Sequence, residues 1–230
     1  MTQGERTARI PYLPALDGLR AVALLTVLAF HGGVSWVHGG YLPLTSFFVL
    51  SGFLITALLL AERTRAGGTD LRGFWERRIR RLVPAALLGL GLVAVYLAVG
   101  TDRPASGALG DGVASLLWVT NWRFITTGQV YADAFADPSP LQHYWSLAVE
   151  EQFYLVLPLI FTGSVLLARG RRWLFTTVVA VGAVASVAWM AHLHQPGDPP
   201  LRAYFGTDTR AAELLVGVLL ALVLVDRGGR

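Results

Sequence analysis

Arg20 and His31 stand in an otherwise mostly apolar stretch, Leu16-Asp17-Gly18-Leu19-Arg20, ten further residues and then the histidine. In a helix that spacing is about three turns, so the two side chains share a face roughly 16 Å apart along the axis. An ionisable group in hydrocarbon costs roughly 3 kcal/mol, and such residues mark functional paths more often than not. Histidine is also the side chain best suited to accept a proton near neutral pH. The pair therefore points to acid–base chemistry addressed from within a membrane, with Asp17 one turn below Arg20. Taken singly, each has a plainer reading: Arg20 as an anchor that snorkels to the interface, His31 as a core histidine bonded to a neighbouring helix.

Two further runs carry reactive side chains. Phe74-Trp75-Glu76-Arg77-Arg78-Ile79-Arg80-Arg81-Leu82-Val83-Pro84 reads as loop passing into helix. Its four guanidiniums suit a polyanionic ligand, because each presents a planar fork to phosphate oxygens. Arg78 and Arg81 would share a helical face; control of membrane orientation is the competing explanation. The second run, His143-Tyr144-Trp145-Ser146-Leu147-Ala148-Val149-Glu150-Glu151-Gln152-Phe153-Tyr154, sets Ser146, Glu150 and Tyr154 at i, i+4 and i+8. One face thus carries a hydroxyl, a carboxylate and a phenol, and Glu151 is rotated off it by about 100°. Glu150 is the expected functional acid, although two carboxylates opening a helix also complement its positive end. Near the end of the chain, Arg210 and Glu213 are spaced to pair along a helix.

The elements that must position these groups are membrane helices. Hydrophobic residues make up 54% of the chain and charged residues 15%, with a mean hydropathy of +0.53, which favours an integral membrane protein over a soluble domain. Absence of cysteine excludes disulfides and thiolate chemistry. All 19 basic residues are arginine. They cluster at Arg63 to Arg81, Arg169 to Arg172 and Arg227/Arg230, between apolar runs, a pattern better explained by orientation than by nucleic-acid binding. No HExxH-type metal pair, phosphate-cradling glycine loop or serine elbow is present.

Spanning runs are expected at Leu16–Val37, Tyr41–Ala61, Leu82–Val99, Leu147–Ala168, Trp173–His192 and Ala211–Val225, the last beginning nearer Asp208. Gly32-Gly33 and Gly39-Gly40 punctuate the first turnaround, with Trp36 and Tyr41 as interface anchors. The polar start with no cleavage site after the first run reads as an anchor that is retained. Asp111–Phe124 is too short in its apolar part to cross and is expected as a re-entrant or interfacial element. That reading puts all three arginine clusters and the amino terminus in the cytoplasm and makes Thr101–Tyr144 one long external segment. The expected architecture is all-α: a polytopic bundle of about six transmembrane helices plus one re-entrant or interfacial helix, forming a single domain over residues 1–230.

Taken together, these pieces resemble the acyltransferase 3 family of integral-membrane O-acyltransferases. The matching segments are Leu16-to-Arg20 with ten residues to His31, Phe47-Phe48-Val49-Leu50-Ser51-Gly52-Phe53-Leu54-Ile55, Arg77-to-Pro84, Trp145-to-Tyr154 and Thr207-to-Gly217, in the family's order over nearly the whole chain. The resemblance implies transfer of an acyl group, commonly acetyl from acetyl-CoA, to a hydroxyl of a carbohydrate, glycolipid or small natural product at the cell membrane, with no metal. The family's Arg–ten residues–His motif falls on Arg20 and His31, and its Arg-x-x-Arg element on Arg78 and Arg81, with Arg77 and Arg80 at the same spacing. On this reading His31 is the general base, Arg20 and Glu150 assist it, and Arg77, Arg78 and Arg81 hold the CoA phosphates. Trp145, Ser146, Tyr154 and Arg210 are the expected contacts to the acceptor. An acyl-histidine intermediate is a variant that the sequence does not exclude.

Two departures stand out. Pro43-Leu44-Thr45-Ser46 replaces the usual Gly-Val-Asp, so an acid is absent. The family also has about ten spans against six here, which reads as a C-terminally incomplete domain. The rival functions are a secondary transporter, for which no internal symmetry is found, and a non-catalytic membrane partner.

Overall fold

A computed structural model describes residues 14–37, 42–99, 107–128, 139–194 and 201–227. Gly39, Gly40, Tyr41, Arg230 and much of the expected external segment lie outside them. The described residues form helices and no strand: α1 Pro14–His31, α2 Leu42–Ala66, α3 Leu71–Val99, α4 Ala108–Leu116, α5 Thr120–Thr127, α6 Tyr144–Leu167, α7 Trp173–Leu193, α8 Leu201–Phe205 and α9 Thr207–Arg227. Five of them, α1, α2, α3, α6 and α7, are long and apolar enough to cross a membrane. The expected sixth span is α9, 21 residues long, which carries Asp208, Arg210 and Glu213 in its first two turns. The fold is an all-α membrane bundle.

Two boundaries differ from the sequence reading, each for a local reason. The first helix stops at His31 rather than running to Val37, because Gly33 takes a φ of 74° and the chain turns back with Val34 N–H donating to the Ala29 carbonyl at 3.0 Å. The third begins at Leu71, a full eleven residues before its apolar part. Asp70 caps it through the Gly73 amide at 2.9 Å. Glu76 then bonds Arg72 at 2.9 Å and Arg80 at 3.2 Å, each four residues away. The Phe74–Pro84 run is therefore helix throughout, not loop passing into helix. The re-entrant expectation resolves into α4 and α5, about 14 and 12 Å long and too short to cross. They are broken at Trp118, whose φ of 56° is uncommon for a bulky residue.

Among the described residues the chain divides into two compact units: residues through Thr69 with Ile160–Ala185 and those from Ala211, and Asp70–Leu159 with Ser186–Arg210. In the first, Phe48, Ile55, Leu59 and Leu60 of α2 are buried with Phe161, Phe175, Leu214 and Val218. Backbones touch there: a Cβ on Gly52 would overlap the Leu214 carbonyl, and one on Gly217 the Val49 carbonyl. Such small-residue contact is how membrane helices gain packing without a hydrophobic drive between them. Outward, α1 shows Leu19, Val22, Leu24, Leu25 and Leu28, the lipid-facing exposure expected of a span.

In the second unit the core is aromatic and polar together. Buried Trp145 and Phe124 both meet Phe205 edge-on, at centroid separations of 5.2 and 5.8 Å. Around them runs a hydrogen-bonded amide network. Gln152 Nε2 donates to the Trp118 carbonyl at 2.6 Å and to Asn121 Oδ1 at 3.0 Å. Its Oε1 accepts from Trp122 Nε1 at 3.2 Å and from Thr207 Oγ1 at 2.6 Å. Buried Asn121 in turn donates to the Phe205 carbonyl and to Thr207. A side-chain amide that uses both donors and both lone pairs inside a helical unit fixes several elements at once.

Candidate active site

Arg78 is the arginine of its cluster that turns inward. Its side chain is 22% exposed, against 76% for Arg80, and Arg77 and Arg81 are also exposed. The guanidinium lies over the ring of Tyr154, 3.1 Å from the centroid, and its Nε is 3.9 Å from Glu151 Oε1. A cation against an aromatic face in partly desolvated surroundings is held by the ring quadrupole. The Tyr154 hydroxyl donates to Glu150 Oε2 at 3.2 Å, the i, i+4 contact that the sequence spacing implies. Helices α3 and α6 thus assemble one guanidinium, one phenol and two carboxylates. Sequence reasoning chose Glu150 by the face it shares with Ser146 and Tyr154. Glu151 escaped it because only the position of α3 reveals which carboxylate meets Arg78.

Trp75 also joins this group, and no local sequence signal selects it. Its indole Nε1 donates to the Tyr154 carbonyl at 3.2 Å. The remaining acceptor-side candidates divide. Ser146 Oγ donates to the His143 carbonyl at 3.2 Å at the start of α6. Trp145 is buried, stacked in a tilted arrangement 4.9 Å from Tyr204. Arg210 lies 4.7 Å from the Tyr204 ring and 5.9 Å from the Trp145 ring, and its Nε donates to the Tyr204 carbonyl at 2.8 Å. Trp145 and Arg210 are therefore brought together around Tyr204, a residue not singled out from sequence. Nearby, Arg202 grips Asp208 with both arms of its fork and lies over Trp122.

In the first unit, His31 closes α1 with its ring edge-on to Phe30, and its Nδ1 is 2.8 Å from the Val27 carbonyl. A carbonyl only accepts, so Nδ1 carries the proton of that bond, and in the neutral ring Nε2 is the basic nitrogen. Arg20 is 3.9 Å from Asp17. Where the family acid is absent, Thr45 donates to Glu213 Oε1 at 3.3 Å, so a carboxylate from α9 stands beside that position on α2. Among the described residues no three or more His, Asp or Glu gather as a metal site would require.

Comparison with known proteins identifies the family of the chain. A family model described as an acyltransferase domain matches residues 13–227. YrhL of Bacillus subtilis is 42% identical over 218 residues, covering 95% of this chain and 34% of that protein. The peptidoglycan O-acetyltransferase OatA of Listeria monocytogenes is 42% identical over 221 residues, 95% of this chain and 35% of that protein. The O-acetyltransferase OatA of Staphylococcus aureus is 39% identical over 212 residues, 92% of this chain and 35% of that protein. The chain thus spans about a third of the length of the curated relatives it matches. No solved structure matches it. With the family match covering nearly all of its helices, the chain belongs to the acyltransferase 3 family.

Proposed function

We propose that this chain is the membrane-embedded acyl-transfer part of an O-acetyltransferase that acylates a hydroxyl of a cell-wall carbohydrate. The observation that carries this reading is the inward Arg78, stacked on Tyr154 and facing Glu151, on a helix whose other arginines are exposed. Arg77, Arg78 and Arg81 hold the phosphates of an acyl-CoA by charge and fork geometry, Arg78 from the side that rests on Tyr154. The peptidoglycan named for the Listeria relative supplies the acceptor class. The acyl-CoA donor rests on the family resemblance and on the guanidiniums.

In this reading His31 Nε2 takes the proton of the acceptor hydroxyl. The oxygen attacks the thioester carbonyl, and the C–S bond breaks to release CoA, which leaves as the thiol once protonated. The basic Nε2 follows from the bond of Nδ1 to Val27. Acid–base assistance of this kind is worth about 10²–10⁴ in rate. Arg20 favours negative charge near α1, while Arg210, Tyr204, Trp145 and Ser146 belong to the acceptor side. The amino terminus and the arginine clusters face the cytoplasm.

The test is transfer from labelled acetyl-CoA by membranes carrying the chain, wild type against His31→Ala and Arg78→Ala. His31→Ala is expected to lower kcat by at least about 100-fold. Arg78→Ala is expected to raise the KM for acetyl-CoA about 10-fold, as for one charge-assisted contact. Unchanged transfer by His31→Ala removes the base, and no transfer by wild type overturns the activity of this chain.

A further inference from the structure

Helix α6 carries Pro158 in its interior. Proline has no N–H, so the carbonyl four residues earlier, that of Tyr154, lacks its regular helical donor, and the pyrrolidine ring crowds the same oxygen. A carbonyl left unsatisfied away from water costs the desolvation of a strong acceptor. The Tyr154 carbonyl is also the atom to which Trp75 donates its indole hydrogen. The donor that α6 lacks within itself is supplied from α3.

The placement is specific. Trp75 and Arg78 are three residues apart and share one face of α3. Trp75 holds the backbone of Tyr154 and Arg78 covers its ring. The far end of the same tyrosine reaches Glu150. A single residue is therefore fixed at its carbonyl, its ring face and its hydroxyl by groups from both helices.

We infer that Trp75 is a positioning residue for the Arg78–Tyr154–Glu150 group, replacing the hydrogen bond that Pro158 deletes. Its role is exerted through Tyr154. It sets the height and rotation of Tyr154 on α6, and through Tyr154 the relation of Glu150 to Arg78. The catalytic side of this inference rests on the proposed acyl transfer, whereas the structural side does not.

A double-mutant cycle tests it with the full chain in membranes or detergent. Trp75→Phe keeps the aromatic bulk and removes the donor, and Pro158→Ala restores a backbone N–H that bonds Tyr154 from within the helix. Two readouts are followed: amide exchange of the α6 peptide 153–161, and kcat and KM for labelled acetyl-CoA. Trp75→Phe is expected to speed exchange in that peptide and to lower kcat about 10-fold, the scale of one hydrogen bond whose loss strands its partner. In the Pro158→Ala background the same substitution is expected to change both by less than about 2-fold. Equal effects in the two backgrounds, or no change in exchange, overturn the inference, since bulk alone would then account for Trp75. If the wild type transfers no acetyl group, the function reading falls, and the exchange cycle alone decides whether Trp75 replaces the missing bond.

Discussion

Within each of the two compact units of this chain, the helices are held by a different means. In the first, α2 and α9 approach until backbone meets backbone, at Gly52 against Leu214 and Gly217 against Val49 and Phe53. In the second, helices are joined by directional bonds: Gln152 with Trp118, Asn121, Trp122 and Thr207, and Arg123 with Asp111 at 2.6 Å. The first arrangement depends on what is absent from the glycines and tolerates no added atom. The second depends on partners and tolerates shape changes better than the loss of a donor. Phe47–Ile55 and Thr207–Gly217, recognisable as family segments, owe at least their glycines to this contact rather than to chemistry.

Five substitutions, one of them with a second-site rescue, sharpen or break that contrast, read as thermal midpoint and folded yield in detergent. Gly52→Ala or Gly217→Ala is expected to cost the most, above about 3 kcal/mol, because the obstructing atoms are backbone and cannot rotate away. A mild effect would mean that the helices separate easily and that the close contact is incidental. Arg123→Met leaves the Asp111 carboxylate, 3% exposed, without its cation and is expected to cost about 3 kcal/mol. Asp111→Asn added to it should recover part of the loss. Gln152→Ala strands the Trp118 carbonyl and the Thr207 hydroxyl, for about 2 kcal/mol. Smallest is Arg20→Met, under about 1 kcal/mol, since its pair with Asp17 is 3.9 Å long and both side chains are more than a third exposed. A large loss of acetyl transfer with unchanged stability would then assign Arg20 to function and not to packing.

The same contrast explains what could be read in advance. Hydrophobic runs locate α2, α6 and α7 to within a few residues because burial in lipid is written into local composition. The shortness of the α4–α5 region was legible as an apolar stretch too short to cross, whereas its division into two helices at Trp118 was not. The start of α3 was not legible, because its first eleven residues carry five arginines and a glutamate among Leu71, Phe74, Trp75 and Ile79, and their helicity is supported by the Asp70 cap and the Glu76 pairs. Tyr154 with Glu150 was legible from an i, i+4 spacing. Glu151 with Arg78, Trp75 with the Tyr154 carbonyl, and Gln152 with Thr207 were not, since their partners lie 73, 79 and 55 residues away and nothing local specifies them. His31 and Arg20 were singled out because charge in an apolar run is conspicuous in any fold.

The unbroken course of α3 carries a consequence for how a bulky anion is met. Its apolar portion, Leu82–Val99, measures about 27 Å, close to the thickness of the hydrocarbon slab, whereas Leu71–Arg81 adds about 16 Å more. Along that extension Arg72, Arg77, Arg80 and Arg81 stand exposed, while Trp75 and Arg78 turn the other way, onto Tyr154 near the middle of α6. On the function proposed above, the charged end of the donor would be met by the outward row of that helix, and the inward row would be left to hold the neighbouring span in place.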